Sequence, residues 1–255
     1  MLETLDLSAS ITSEEFDRHR DEIRLALSRA QRRAWQDRLG VLIVVEGWNF
    51  SGKAPCVRFL TEPLDPRGFK VHVMYPPSSE ERRYPFHQRY WTRLPAYGQT
   101  AVFLRSWYYH VIEEPIIEPE MAASPNEALT EISQFERMLA DDGYLLLKFW
   151  LHIDRAELKR RRKQFKKKFA LRSRYAPDDN KQHKRWDRYL QGVEEMLART
   201  STDFSRWYPL PAIDTRFAQM SLARTVVERI DERLAARRWQ REHAQETPLV
   251  DALPP

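Results

Sequence analysis

Hydrophobic positions along this chain fall into short uninterrupted runs separated by longer segments with helical spacing. The run at residues 41–45 is wholly apolar and mostly β-branched, which is typical of a strand buried on both faces. Comparable patterns predict further strands at residues 70–75, 100–104, 144–153 and 207–213. The sequence therefore predicts about five short strands.

Amphipathic spacing and turn signals predict a helix before or after each strand. The predicted helices cover residues 13–38, 53–64, 80–94, 126–141, 158–169, 178–200 and 217–238. In the first of them, Ser13 is the expected N-cap, and Leu25 and Trp35 belong to the apolar positions. Strand–helix alternation predicts a three-layer α/β/α fold with a parallel sheet.

We find no internal repeat and no low-complexity linker, which favours a single domain over residues 1–255. Within it we expect an N-terminal helical segment at residues 1–39, a basic segment at 155–185 and a frayed tail at 240–255.

Composition narrows the class of protein. No apolar run is long enough to cross a bilayer, and the first residues lack the features of a signal peptide. Cys56 is the only cysteine, so a disulfide framework and a cysteine-based zinc site are excluded. We expect Cys56 to be a buried hydrophobe, the protein to be cytoplasmic, and no membrane partner.

Positive charge is concentrated in one segment. Ten lysines and arginines stand between Lys159 and Arg174 with no acid among them, although the whole chain carries only +5. Like charges at helical spacing destabilise a helix, so a polyanionic partner is favoured over a solvated face. Both a nucleic acid and a phosphate chain satisfy this requirement.

Residues 47–53, Gly-Trp-Asn-Phe-Ser-Gly-Lys, fit the spacing G-x-x-x-x-G-K between a buried strand and a helix. Glycines let the backbone fold around an anion, amide groups at the helix N-terminus point at phosphate oxygens, and the lysine adds a full charge. The usual hydroxyl residue after the lysine is Ala54 here, followed by Pro55, and neither can hold a metal. The loop predicts phosphate binding.

Arg105 follows the third predicted strand. Since ligands of open α/β sheets bind at the carboxyl ends of the strands, Arg105 is expected to face phosphates held by the loop. An arginine that merely solvates a strand end is the alternative.

Seven segments in order resemble the type-2 polyphosphate kinases, which move phosphate between polyphosphate and nucleotides. These segments are residues 46–53, 64–69, 86–94, 103–108, 131–143, 147–153 and 184–203, with a closing motif at 211–217. The resemblance covers nearly the whole chain, and residues 1–7 and 180–184 look most like the polyphosphate:AMP branch.

The resemblance implies a P-loop kinase-like fold with a helical basic lid, and it implies roles for individual residues. Lys53 and Arg105 would be catalytic. The phosphate or nucleotide would be bound by Gly47, Asn49, Ser51, Gly52 and Lys53, and the lid would contribute Arg160, Lys163, Lys167, Arg172 and Arg174. The family uses Mg²⁺, with Mn²⁺ as a substitute, and no other cofactor.

The sequence departs from the family at two positions. Asn49 and Leu104 stand where the family carries aspartates, the expected magnesium holders. Asn49 still offers a neutral oxygen and remains a weak metal candidate. Glu46, Glu113 and Glu114 are nearby acids that could compensate, but we interpret them as ordinary surface glutamates.

Two hypotheses remain. One is an active phosphotransferase that uses polyphosphate to phosphorylate AMP or a nucleoside diphosphate. The other is a catalytically impaired relative that binds polyphosphate or nucleotide in a regulatory or scaffold role. A nucleic-acid binder leaves the glycine loop unexplained, and the basic run lacks interleaved aromatic residues. The expected partners are polyphosphate, a purine nucleotide and further copies of the same chain.

Overall fold

Five parallel strands form the central sheet of the computed structural model, which describes residues 2–117, 124–168 and 179–244. The strands are β1 (Val41–Gly47), β2 (Phe69–Val73), β3 (Thr100–Leu104), β4 (Leu145–His152) and β5 (Trp207–Pro211). Their order is β2-β3-β1-β4-β5, and Val41 of β1 pairs with both Thr100 and Leu145. β1 is central and all seven of its residues are buried, as its uninterrupted apolar run predicts.

Helices connect the strands. In the described residues they are α1 (Ser13–Gln36), α2 (Lys53–Thr61), α3 (Gln88–Trp91), α4 (Tyr109–Ile112), α5 (Glu114–Ile117), α6 (Pro125–Asp141), α7 (Arg155–Lys168), α8 (Asp179–Lys184), α9 (Trp186–Thr200) and α10 (Thr215–Ala244), with short 3₁₀ turns at Pro66–Gly68 and Glu81–Arg83. The helices α1, α2 and α10 pack together, as do α4, α6 and α9. These two groups and the sheet between them form the predicted three-layer fold.

All five predicted strands are confirmed, with ends that differ by a few residues. The helix predicted at residues 80–94 is wrong. Only the turn Glu81–Arg83 and the short α3 form there, because Pro85 interrupts the segment and cannot continue a helix. The helix predicted at 178–200 divides at Arg185 into α8 and α9.

Other details of the helices also differ from the sequence prediction. Thr12 is the N-cap of α1 in place of Ser13, and it forms a capping box with Glu15. Leu25 and Trp35 are exposed, so they do not belong to the buried face of α1.

The last helix extends further than expected. α10 continues to Ala244, so residues 240–244 are helical where we expected a frayed tail. Arg241 donates to the carboxylate of Asp37 at 2.6 Å, which fastens this end of α10 to the end of α1. The remainder of the tail lies outside the described residues.

Cys56 is buried in α2, as predicted, and burial raises the pKa of its thiol to about 12. None of the helices in the described ranges is both long and apolar enough to cross a membrane. The single-domain organisation stays a prediction.

Candidate active site

The glycine loop, residues 47–53, connects the central strand β1 to α2 at the carboxyl edge of the sheet. Gly47 and Gly52 have φ of 145° and 97°, a region that favours glycine. At Gly47 an added Cβ would lie 2.5 Å from the carbonyl oxygen of Leu151 in β4. The first glycine is therefore required both for its backbone conformation and for close strand packing.

Lys53 is the first residue of α2, and its side chain turns back over the loop. Its Nζ donates to the carbonyl oxygen of Gly47 and, at 3.0 Å, to that of Trp48. The positive charge of this lysine and the N-terminus of α2 thus lie at the same loop, which produces a positive electrostatic potential there.

Aromatic residues of the basic helix α7 and of the later helix α9 pack against the loop. The ring of Trp48 stacks on that of Trp186 in α9, with centroids 3.7 Å apart and planes at 7°. The ring of Phe50 lies 5.3 Å from that of Phe165 in α7. Both of these contacts are between aromatic rings. The loop therefore packs against α7 and α9 through apolar surface as well as through polar groups.

Arg161 of α7 connects the basic helix to the loop and to the chain after β5. Its guanidinium donates to the carbonyl oxygens of Phe50 at 3.0 Å, Ala212 at 2.8 Å and Ile213 at 2.7 Å, and it also pairs with Glu157. The sequence pattern did not distinguish Arg161 from the other nine basic residues. Its contacts give it a positioning role.

The expected lid residues lie on the outer side of the same helix. Arg160, Lys163 and Lys167 are exposed. Arg160 makes two hydrogen bonds of 2.6 Å with Glu157, so part of its charge is neutralised within the helix. Arg172 and Arg174 lie outside the described residues.

Arg105 directly follows β3 and adopts a left-handed φ of 63°. Its guanidinium is largely buried and lies 3.4 Å from the carboxylate of Glu113. The side chain is thus anchored at the expected edge of the sheet, although its orientation is set by an acid that the sequence interpretation placed on the surface.

That interpretation of the three nearby acids is wrong. Glu46, Glu113 and Glu114 are 1%, 2% and 4% exposed. Oε1 of Glu46 accepts hydrogen bonds from the backbone N–H of Ser106 at 2.7 Å and from its hydroxyl at 2.8 Å. Burial, followed by the negative charge of Glu113, raises the pKa of Glu46 to about 7, against the opposing effect of Lys53.

The residues around the loop do not fit a protein-held Mg²⁺ ion. Leu104 is apolar and packs against the core. The nearby carboxylates already have protein partners, namely Ser106 for Glu46, Arg105 for Glu113, and Arg82 with His110 for Glu114. The described residues contain no cluster of three or more histidine, cysteine or acidic side chains suited to a metal. Mg²⁺ prefers several oxygen ligands, carboxylates above all, and Asn49 alone cannot supply them.

Several residues of the resembling segments build the core and lie away from the loop. Lys148 of β4 and Glu136 of α6 form a fully buried ion pair of 2.6 Å. The same lysine donates to the hydroxyl of Tyr108 at 3.0 Å and to the carbonyl oxygen of Thr200 at 2.6 Å. Four of the resembling segments therefore meet in one structural network.

The sequence is similar to that of known polyphosphate-dependent phosphotransferases. The model of the Polyphosphate kinase 2 (PPK2) family matches residues 10–238. A polyphosphate:AMP phosphotransferase of Pseudomonas aeruginosa is 33% identical over 254 residues, which is 99% of this chain and 51% of that protein. A GDP-polyphosphate phosphotransferase of Mycobacterium tuberculosis is 30% identical, covering 75% of this chain and 65% of its own length.

Solved structures of polyphosphate kinase 2 proteins have the same fold as this chain. A crystal structure described as polyphosphate kinase 2 from Pseudomonas aeruginosa superposes with a TM-score of 0.85 at 31% identity, over 91% of this chain and 50% of that one. The polyphosphate kinase 2 of Arthrobacter aurescens, 21% identical, shares the fold with a TM-score of 0.84 over 91% of this chain and 86% of that one. The chain spans about half the length of the Pseudomonas relatives it matches. Because the family model matches most of its residues, the chain belongs to the polyphosphate kinase 2 family.

Proposed function

We propose that the glycine loop binds phosphate groups and that the protein moves phosphate between polyphosphate and AMP or a nucleoside diphosphate. The observation that carries this proposal is the loop itself. Its two glycines with positive φ, the N-terminus of α2 and the ammonium of Lys53 lie together at the carboxyl end of the central strand. Amide and ammonium donors arranged around one turn of backbone suit phosphate oxygens.

The relatives point to the same pair of substrates. The Pseudomonas relative is named as a polyphosphate:AMP phosphotransferase, and the Mycobacterium relative as acting on GDP and polyphosphate. The basic helix α7 packs against the loop through Arg161 and Phe165, so the helix that carries the exposed positive side chains contacts the proposed phosphate site. A long polyanion can contact both at once.

In this proposal the residues have distinct roles. Gly47, Asn49, Ser51 and Gly52 form the cradle, and Lys53 with Arg105 stabilises charge on the transferring phosphoryl group. Phosphoryl transfer demands little covalent chemistry from the protein, so positioning and charge account for most of the catalysis. The lid residues Arg160, Lys163, Lys167, Arg172 and Arg174 hold the rest of the phosphate chain.

The test is nucleotide turnover by the purified chain. AMP, ADP, GMP and GDP are each supplied with long-chain polyphosphate and either Mg²⁺ or Mn²⁺. We expect turnover that Lys53→Ala abolishes and Lys70→Ala preserves, since Lys70 is an exposed lysine near the amino end of β2, at the opposite edge of the sheet. Equal turnover by the wild type and Lys53→Ala would contradict the proposed role of the loop.

The second candidate is a relative that binds polyphosphate or nucleotide without transferring phosphate. Two observations favour it: Glu46, Glu113 and Glu114 are bound to protein partners, and positions 49 and 104 hold asparagine and leucine. Polyphosphate binding without turnover supports this candidate. In that case Asn49→Asp with Leu104→Asp should raise metal-dependent transfer, and no gain in a folded variant would mean that more than these two positions has changed.

The proposed partners are polyphosphate and a purine nucleotide, with no nucleic acid. A cytoplasmic location and a homo-oligomeric state stay predictions. Sedimentation of the purified chain measures its oligomeric state directly.

A further inference from the structure

Three uncharged polar groups at the glycine loop are buried and have no hydrogen-bond partner within the described ranges. They are Nδ2 of Asn49, Oγ of Ser51 and Nε2 of Gln182. The three residues are 8%, 1% and 4% exposed. A buried donor without a partner is costly, so a site with three of them needs an explanation.

The orientation of Gln182 follows from its neighbour. Its Oε1 accepts the backbone N–H of Asn49 at 2.9 Å. An N–H can only donate, so the atom facing it must be the amide oxygen, and the two hydrogens of Nε2 point elsewhere. Trp186, four residues later, stacks on Trp48 of the loop and fixes this segment in place.

The chemistry of these groups selects the charge of the ligand. Amide NH₂ groups only donate hydrogen bonds, and a hydroxyl can donate one. Phosphate oxygens only accept them, whereas a metal cation requires acceptors. The three unpartnered groups can all donate to an anion, and the nearby carboxylates of Glu46, Glu113 and Glu114 are already bound to protein partners.

We propose that the loop binds a phosphoryl group of polyphosphate directly, through donors from Asn49, Ser51 and Gln182 beside Lys53, without a divalent cation. This inference rests on the proposed phosphate-binding function of the loop and deepens it. It adds Gln182, a residue from the segment after the basic helix, to the binding site. It also gives Asn49 a function in binding. The amide at this position donates a hydrogen bond to the anion, whereas a carboxylate there would repel the anion in the absence of a cation.

The first test is calorimetric binding of inorganic tripolyphosphate to the full chain, in excess EDTA and then in Mg²⁺, with no nucleotide present. We expect affinity in EDTA at least equal to that in Mg²⁺. Binding that is about tenfold weaker in EDTA, or that requires Mg²⁺, overturns the inference. Tripolyphosphate binding that requires Mg²⁺ leaves the proposed function intact, whereas no binding under either condition refutes both.

The second test uses isosteric variants in EDTA. Asn49→Asp and Gln182→Glu each replace a donor by a charged acceptor of the same shape, and the carboxylate introduced by Gln182→Glu can still accept the backbone N–H of Asn49. We expect each to weaken binding by roughly tenfold or more, and Ser51→Ala to weaken it by about fivefold to tenfold without any change of charge.

The matched control is Gln134→Glu, which makes the same chemical change on the exposed side of α6. It should bind tripolyphosphate as the wild type does. For Asn49→Asp, added Mg²⁺ should restore part of the lost affinity, because the new carboxylate can then hold a cation. Wild-type affinity in EDTA for all three loop variants, each with a native circular dichroism spectrum, overturns the inference.

Discussion

Glu46 lies at the end of β1, immediately before the glycine loop, and its carboxylate is bound by Ser106. Burial and the nearby charge of Glu113 raise its pKa to about 7 from an ordinary value of 4.5. Between these two pH values the unfolded chain releases this proton and the folded chain keeps it. Glu46 therefore makes the protein less stable as pH rises through this range, by up to about 3 kcal/mol.

Replacing Glu46 by glutamine should remove this pH dependence, because an amide does not titrate and its oxygen can still accept both hydrogen bonds from Ser106. We expect the free energy of unfolding of Glu46→Gln, relative to wild type, to increase between about pH 5 and about pH 8. Urea unfolding at the two pH values measures the difference. A constant difference would mean that the folded protein does not raise the pKa of Glu46.

The burial of Glu46 could have been predicted from the sequence, but its partners could not. Position 46 directly continues the apolar run of β1, and a strand that is buried on both faces buries a residue inside it whichever face the side chain is on. Glu113 gave no such signal, because it precedes another acid and a proline in a segment without clear periodicity. Its burial depends on how α4 and α5 pack, and residue types alone do not determine that packing.

At the scale of elements, Gly47 controls how closely the loop approaches β4. We expect Gly47→Ala to lower the free energy of unfolding by about 3 kcal/mol or more, because the new Cβ would collide with Leu151 and alanine disfavours this φ. Gly192→Ala is the matched control. Nothing lies within 4 Å of its added Cβ, so this change inside α9 should stabilise the helix by about 0.5–1 kcal/mol. Equal effects of the two substitutions in urea unfolding would contradict the packing argument.

The Lys148–Glu136 pair joins β4 to α6 in the core. Burial lowers the pKa of Lys148, against the opposing effect of Glu136, so the pair depends on both partners. We expect Lys148→Met to cost about 3–5 kcal/mol, because it leaves the carboxylate of Glu136 buried without its cation.

The double variant Lys148→Met with Glu136→Leu tests the origin of this cost. It should recover part of the lost stability, since no unpaired charge remains, although the hydroxyl of Tyr108 and the indole of Trp107 lose their acceptor. Urea unfolding of the wild type, Lys148→Met, Glu136→Leu and the double variant gives the coupling energy between the two side chains. A double variant whose loss equals the sum of the two single losses would show that the two side chains act independently.

The elements themselves were largely predictable from the sequence, and their errors have identifiable causes. The strands follow from apolar runs. The helix predicted at residues 80–94 failed because Pro85 interrupts that segment. Within α7 the spacing of Leu158, Arg161 and Phe165 places the three on one face of the helix, which is the face that contacts the loop. That periodicity distinguishes Arg161 from the other basic residues, but it is hard to recognise in a segment dominated by charge.

At the scale of the whole molecule, exposed positive charge lies on the helix that contacts the glycine loop. Arg161 is used to hold the loop, while Lys163 and Lys167 remain exposed on the outer side of α7. A partner held by these side chains should be bound more weakly at high salt, because screening acts on exposed charges. Any DNA bound to such a surface through its phosphates should be displaced by polyphosphate if the site extends into the loop.

Removing two of these charges tests whether the basic helix binds the phosphate chain. Lys163→Gln with Lys167→Gln should weaken the binding of long-chain polyphosphate by roughly tenfold at low salt and reduce its dependence on salt concentration. Its affinity for tripolyphosphate should change much less, because a short chain need not extend beyond the loop. The control is Arg29→Gln with Arg32→Gln, which removes the same charge from the exposed surface of α1. If both pairs weaken binding equally, net charge alone attracts the polyanion. A selective loss in the α7 pair identifies this helix as the surface along which the phosphate chain lies.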